Sequence, residues 1–283
     1  MLLKEFGTDG FTVGTEEDVN TNGENFISWN WRAGNSAGSS NSDGSITSTV
    51  SANTTAGFSI VKYTGTGSNA TIGHGLGAAP NLVIIKNYSR AGENWRVGSL
   101  TGTVQGTGAS NFGASAQLDN TGGLSAGSTM FNDTAPTSTV FSVGTAGSTN
   151  YSGDNLIAYC FAEKVGYSRF GVYTGNSDAN GPFVFTGFKP AFLMIKEYGA
   201  SGESWIMLDT GRSAGNVTDE ILFANANQQE EANQTSKGID FLSNGFKIRS
   251  TDAVLNDASS GYFYMAFAEA PLVGSNNTPA TAR

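Results

Sequence analysis

The chain has one histidine, His74, in Gly73-His74-Gly75-Leu76-Gly77. One histidine is enough for the general base of a Ser-His-Asp hydrolase. The matching loop later in the chain, around Thr186-Gly187-Phe188, has none. His74 therefore reads as a loop residue satisfied by its surroundings, or at most a weak surface contact. Asn176-Ser177-Asp178-Ala179-Asn180-Gly181 follows the opening of a calcium loop, in which Asn176, Asp178 and Asn180 would supply oxygens. The first ligand is an amide, however, and Gly187 stands at position twelve, where a bidentate Glu belongs. Asx hydrogen bonds in a turn between strands explain the same letters. The expectation is a turn, with no metal and no other cofactor.

Glu163 and Glu269 raise glycoside hydrolysis, which needs two carboxyl groups about 5–10 Å apart across one bond. They hold equivalent places in two copies of one pattern, so duplication accounts for them better than a shared site. The expectation is an internal pair in each copy, Lys86 with Glu163 and Lys196 with Glu269. Trp29, Trp31, Trp95 and Trp205 would make sugar-stacking platforms if exposed. Trp29 and Trp31 share a face with Ile27 and match Tyr159, Phe161 and Phe267, so they read as packing residues. Trp95 and Trp205 each follow a Gly-Glu-X string, in Gly92-Glu93-Asn94-Trp95 and Gly202-Glu203-Ser204-Trp205, and read as a packing element common to both copies.

What must position these residues is a repeat. Tyr63-Thr64-Gly65 matches Tyr173-Thr174-Gly175, Pro80 matches Pro190, Ile84-Ile85-Lys86 matches Met194-Ile195-Lys196, and Trp95 matches Trp205, all 110 apart. That period exceeds a solenoid unit of about 20–50 residues and fits a duplicated small domain. The copies continue through Val140–Gly144 and Gly245–Arg249 to Leu156–Glu163 and Phe263–Glu269. Gly10–Gly14 followed by Gly23–Trp31 repeats that closing portion a third time, at the front.

Composition agrees. Glycine makes up 38 of 283 residues, nearly twice the usual share of about 7%. Ser, Thr and Asn are abundant, which suits short strands joined by tight turns. With 15 basic against 24 acidic residues and a net charge of -9, there is no Lys/Arg cluster to displace counterions from nucleic acid or to hold an anionic membrane surface. No segment approaches the roughly 20 apolar residues of a spanning helix. One cysteine, Cys160, excludes an intrachain disulfide framework. No Walker-type Gly-Lys-Ser/Thr string is present, so nucleotide binding is not expected.

The final strand of each copy alternates. Ile27, Trp29 and Trp31, then Ile157, Tyr159 and Phe161, share one face. Leu82–Lys86 and Ala191–Lys196 are apolar runs suited to central strands, and five to seven short strands over about 105 residues is sandwich spacing. The expected fold is all-β: two tandem duplicated β-sandwich domains, jelly-roll-like, after an N-terminal β-hairpin segment. The boundaries are a partial repeat at 1–34, a polar linker at 35–57 holding at most one weak strand at 45–51, sandwiches at 58–166 and 167–273, and a flexible tail at 274–283. A turn of helix is expected at Gln228–Ala232. A lone hairpin is marginal in water, so residues 1–34 are expected to be completed by an assembly, with a homotrimer favoured.

Phe58–Gly65, Gly73–Gly77 with Pro80, Gly181–Pro190 and Phe267–Gly274 resemble a repeat found in C-terminal regions of tail-fibre-like and other virion structural proteins of marine tailed phages. The resemblance covers about residues 10–283 and implies a virion component, without catalytic residues to carry over. It implies other virion proteins as partners, and host-surface adhesion through a glycan or receptor as a tail fibre or appendage. A capsid- or tail-decorating protein is the alternative. A glycan depolymerase is disfavoured by the sparse titratable residues.

Overall fold

The duplicated sequence builds duplicated ladders, and a front segment that lacks the ladder's other half. The computed structural model describes residues 2–8, 10–34, 37–99, 112–199, 202–213, 215–232 and 236–268. Two units are separated, Met1–Arg32 and Ala33–Arg283.

In the first unit, β1 (Leu3–Phe6) pairs antiparallel with β2 (Phe11–Val13), and one helical turn, α1 (Glu17–Asn20), follows. The sequence led us to expect a hairpin between residues 10–14 and 23–31. Instead Phe11 faces Phe6, and residues 24–32 belong to no sheet. Alternation survives there, with Ile27, Trp29 and Trp31 half-buried and Ser28 and Asn30 exposed. The physical reason lies in the complete copies, where the equivalent strand is central and held on both sides. The front segment carries the pattern of that strand without those neighbours.

The first copy begins earlier than expected. The polar stretch at 35–57, expected to hold at most one weak strand at 45–51, contains two, β3 (Ser39–Asn41) and β4 (Ser48–Asn53). Then come β5 (Phe58–Thr64), β6 (Ala70–Gly73), β7 (Leu82–Asn87), β8 (Arg96–Ser99), β9 (Ala114–Gln117), β10 (Ser125–Ala126), α2 (Ser128–Phe131), β11 (Val140–Val143), α3 (Gly147–Asn150) and β12 (Asn155–Phe161). One sheet has the order β10-β9-β8-β7-β12-β5-β4-β3, and β11 pairs with β6 in a second. Ser48 and Val50 point inward and Thr49 outward, so a polar-looking segment still satisfies the period of a half-buried strand.

The second copy has β13 (Ser168–Thr174), β14 (Phe183–Phe185), β15 (Pro190–Glu197), β16 (Ile206–Asp209), β17 (Leu222–Phe223), β18 (Ile239–Leu242), β19 (Gly245–Ile248), α4 (Ala253–Asn256) and β20 (Gly261–Ala268). Its sheets are β13-β20-β15-β16-β17 and β14-β19-β18. The helical turn expected at Gln228–Ala232 is extended, with Glu231 bridged to Ile221. Ladder register defines the equivalences: Tyr63 faces Leu156 as Tyr173 faces Tyr262, and Ile157 faces Lys86 as Phe263 faces Lys196.

Each sandwich has its own core between its sheets. Val61, Ile85, Phe141 and Leu156 lie in one; Leu193, Ile206, Phe246 and Tyr262 lie in the other. Both cores are closed by the same device. Tyr63 donates to Thr149 O at 2.7 Å, and Tyr173 donates to Leu255 O at 2.7 Å. Asn150 and Asn256, both fully buried, hold the neighbouring loops. The Asn150 amide donates to Gly144 O at 2.7 Å, and the Asn256 amide to Ser250 O at 2.7 Å. Asn20 repeats this bond to Gly14 O at 2.8 Å, so the front segment is a third copy of the same closure.

The opposite faces of the two large sheets are apolar too, and they meet. Phe161 packs on Phe170 and Phe267, with ring centroids 6.1 and 5.8 Å apart. Phe161 and Phe267 hold equivalent places in their copies. Further along, Val97, Ala116 and Leu124 face Tyr198, Trp205 and Phe263 around a cavity of only about 20 Å³, room for one water. The two sandwiches are therefore joined back to back.

Candidate functional site

The sequence candidates divide into backbone clamps and one open cleft. His74 is fully buried in the turn after β6. Its Nδ1 accepts from Leu76 N–H at 3.2 Å and its Nε2 lies 3.2 Å from Thr137 O. With Nδ1 accepting, the neutral ring carries its proton on Nε2 and donates to that carbonyl. Burial pushes its pKa down, partly offset by this bond. In the second copy Thr186 stands at the same place. It donates from Oγ1 to Phe188 O at 2.6 Å. Imidazole and hydroxyl thus do one structural job, and His74 offers no exposed surface for contact.

The loop that resembles a calcium site is an Asx ladder. Asn176 Oδ1 accepts from Asp178 N–H at 3.0 Å and from Asn256 Nδ2 at 3.0 Å, while Asp178 Oδ1 accepts from Asn180 N–H at 2.8 Å. Both named oxygens are thus engaged by amide donors, and among the described residues no group of three His, Cys, Asp or Glu side chains is placed to hold an ion.

The expected pair of Lys86 with Glu163 is corrected. Lys86 donates to Glu93 O and lies 6.0 Å from the Trp95 ring. Lys86 faces Ile157, six residues before Glu163, so strand length separates the expected partners. Lys196, 1% exposed, donates to Glu197 O at 2.7 Å and Glu203 O at 2.9 Å. Glu269 lies outside the described residues. In both copies the ammonium closes the hairpin loop by gripping the carbonyl of the glutamate in Gly-Glu-X-Trp. That recurring string is a lysine-clamped turn.

The tryptophans after it share a backbone role and differ in their rings. Trp95 N–H donates to Asp119 Oδ2 at 3.1 Å, and Trp205 N–H to Asn225 Oδ1 at 2.7 Å. Trp95 is half-buried and stacks on Tyr159. Trp205 is buried between the sandwiches and its indole donates to Gln117 O at 2.8 Å. A common packing environment for the pair, expected from the repeat, is not what the chain builds. The cause is that the back-to-back contact takes one ring and leaves the other at its margin.

A cleft of about 630 Å³ lies at the start of the second copy. The turn Glu163–Ser168 forms one wall, and Phe185, Thr186, Gly187 and Asn244 form the other. Val165 and Phe185 rim it, 66% and 58% exposed. Glu163 Oε1 accepts from Phe170 N–H at 2.9 Å and lies 3.8 Å from Arg169 Nε. Thr186 and Gly187 N–H both donate to Asn244 O. The cleft offers exposed apolar surface beside a partly screened Arg–Glu pair. That equips it to bind an extended or flat partner, whereas its carboxylate is already engaged by an amide. Sequence reasoning missed this place, because its signal is a missing strand rather than a motif.

The chain belongs to the family described as Domain of unknown function (DUF7483), which matches residues 1–271. No curated protein and no solved structure matches it.

Proposed function

We propose, for this member of the family, a non-enzymatic role as a structural protein of a phage virion, in a tail fibre or surface appendage that contacts the host. The observation that carries this reading is the use of the reactive side chains. His74, Lys86, Lys196 and the buried Cys160 all serve packing or backbone closure. A catalyst needs such groups free to meet a substrate, whereas a scaffold needs them satisfied. The likeness of the repeats to tail-fibre-like segments supplies the virion setting, and Gly-, Ser-, Thr- and Asn-rich loops suit weak polar contact with surface glycans. Residues 1–34 then belong to an assembly contact, with a homotrimer as the arrangement.

Labelling the protein and locating it in a cryo-EM map of the particle tests the setting. Density at a fibre or appendage is the expected result, and absence from purified particles removes the proposal. A glycan array run beside a reducing-sugar release assay tests the chemistry. Binding without sugar release is expected; sustained release would make the protein a depolymerase.

A further inference from the structure

The two copies differ most at one edge. In the first, β5 is covered by β4, with Val50 opposite Val61 and Ser51 opposite Ile60. The start of β4 and the residues before it also close the other sheet. Ile46 bridges Ile72, and Ser48 Oγ donates to Gly73 O at 2.9 Å. Val50 packs on Gly75, where an added Cβ would come within 2.9 Å of its methyl. One extended segment, residues 44–53, thus seals the side of the first sandwich.

In the second copy nothing among the described residues takes that place. β13, the counterpart of β5, is the edge strand of its sheet, and β14, the counterpart of β6, is the edge of the other. The connection from β12 to β13 is a tight turn at residues 162–167, too short to contribute a strand. The cleft described above lies between Phe185 and Gly187, the counterparts of Gly73 and Gly75, and the start of β13. Two exposed apolar side chains, Val165 and Phe185, rim the cleft on this side.

The hydrogen-bonding direction of β13 is fixed by its ends. Gly175 N–H donates to Ser260 O, and Ala268 N–H to Tyr167 O, so odd-numbered residues face β20. In an antiparallel ladder the alternate residues face the other way. Phe170 and Val172 therefore turn their amides to the open side. Phe170 N–H is capped by the Glu163 carboxylate, where in the first copy Ile60 faces a strand. A charged side chain on an open edge is a known guard against unwanted pairing.

We infer that the β13 edge and its cleft form a docking slot for a β-strand supplied by another polypeptide, guarded by Glu163. The occupant is an extended segment like residues 44–53, with a small or β-branched side chain toward Gly187 and a hydroxyl in reach of the Phe185 carbonyl. Strand addition of this kind draws affinity from main-chain bonds and specificity from alternate side chains. The inference stands apart from the virion reading, since it rests only on the comparison of the two copies.

The probe is a fluorescently labelled peptide of residues 44–54, titrated against the full chain by anisotropy. Saturable binding is expected, and a peptide with Ser51→Pro, which loses the ladder amide opposite Phe170, is expected to lose it. Glu163→Ala frees the Phe170 amide and is expected to tighten binding about tenfold, the worth of one charge-assisted hydrogen bond. Val172→Pro removes an outward amide at a position where an edge tolerates proline, and is expected to weaken binding at least about tenfold. Should Val172→Pro melt early, the peptide variant still decides the matter. No binding to either the natural chain or Glu163→Ala overturns the inference, as does equal binding of the Ser51→Pro peptide. Self-association of the chain that the peptide dissolves would make the occupant a second copy and overturn the assignment to a different polypeptide.

Discussion

Tyr264 lies over Gly171, its cross-strand neighbour on β13, so closely that a Cβ on Gly171 would come within 2.6 Å of the phenol oxygen. At the same two places in the first copy, Val61 faces Ala158. The large and small partners have exchanged strands between copies while the space they fill is the same. Gly171→Val alone is expected to cost about 1–3 kcal/mol by overpacking, and Tyr264→Ala alone about 3–5 kcal/mol by leaving a cavity. The double variant restores the first copy's arrangement and should lose at least about 1 kcal/mol less than the sum. A double-mutant cycle in denaturant measures the difference.

The lysine clamps differ in burial and so in consequence. Lys196→Met leaves the carbonyls of Glu197 and Glu203 without their donor in a closed environment. The expected loss is at least about 2 kcal/mol. Lys86→Met exposes its carbonyl to water that substitutes for the ammonium, and the loss should stay near or below about 1 kcal/mol. Chemical denaturation of both variants checks the order.

His74 makes stability depend on pH in a definite direction. Burial holds its folded pKa below the ordinary value of about 6.5. Below that value the unfolded chain takes up a proton that the folded chain refuses, so stability falls as pH falls toward the lowered folded pKa. Above it the contribution is fully present. His74→Thr copies the second repeat, keeps the turn through Oγ1, and should remove this component from a plot of melting temperature against pH.

Cys160 is buried in the first core, and burial pushes its thiol up to about 12. A thiol held neutral is a poor nucleophile. In the native chain at neutral pH a disulfide reagent is expected to leave it unmodified for hours. One equivalent should react promptly in denaturant, which makes the rate a direct report of opening.

Much of the fold was legible because period-two alternation and the 110-residue offset are properties of the letters themselves. The lysines at 86 and 196 and the Gly-Glu-X-Trp strings were visible as equivalent, but their purpose was not. An ammonium gripping a carbonyl leaves no trace in the identity of the residue that owns the carbonyl. Residues 39–53 read as linker with at most one weak strand, because strands of Ser, Thr and Asn with one inward Val show no buried side until neighbours supply it. The reverse error occurred at 24–31, where a strand pattern is present without its flanking strands. Trp95 and Trp205 could not be told apart, since which ring is covered depends on how two sheets meet.

The meeting of Phe161 with Phe267 has an evolutionary consequence. A residue that touches its own counterpart lies beside a dyad, the signature of an isologous contact between identical protomers. A single-copy ancestor with this sheet would have exposed its apolar back and needed a twin to cover it. Two copies in one polypeptide cover that back internally, and they differ as identical protomers cannot: one tryptophan lies in the seam and the other at its margin, and among the described residues only one flank carries a sealing strand.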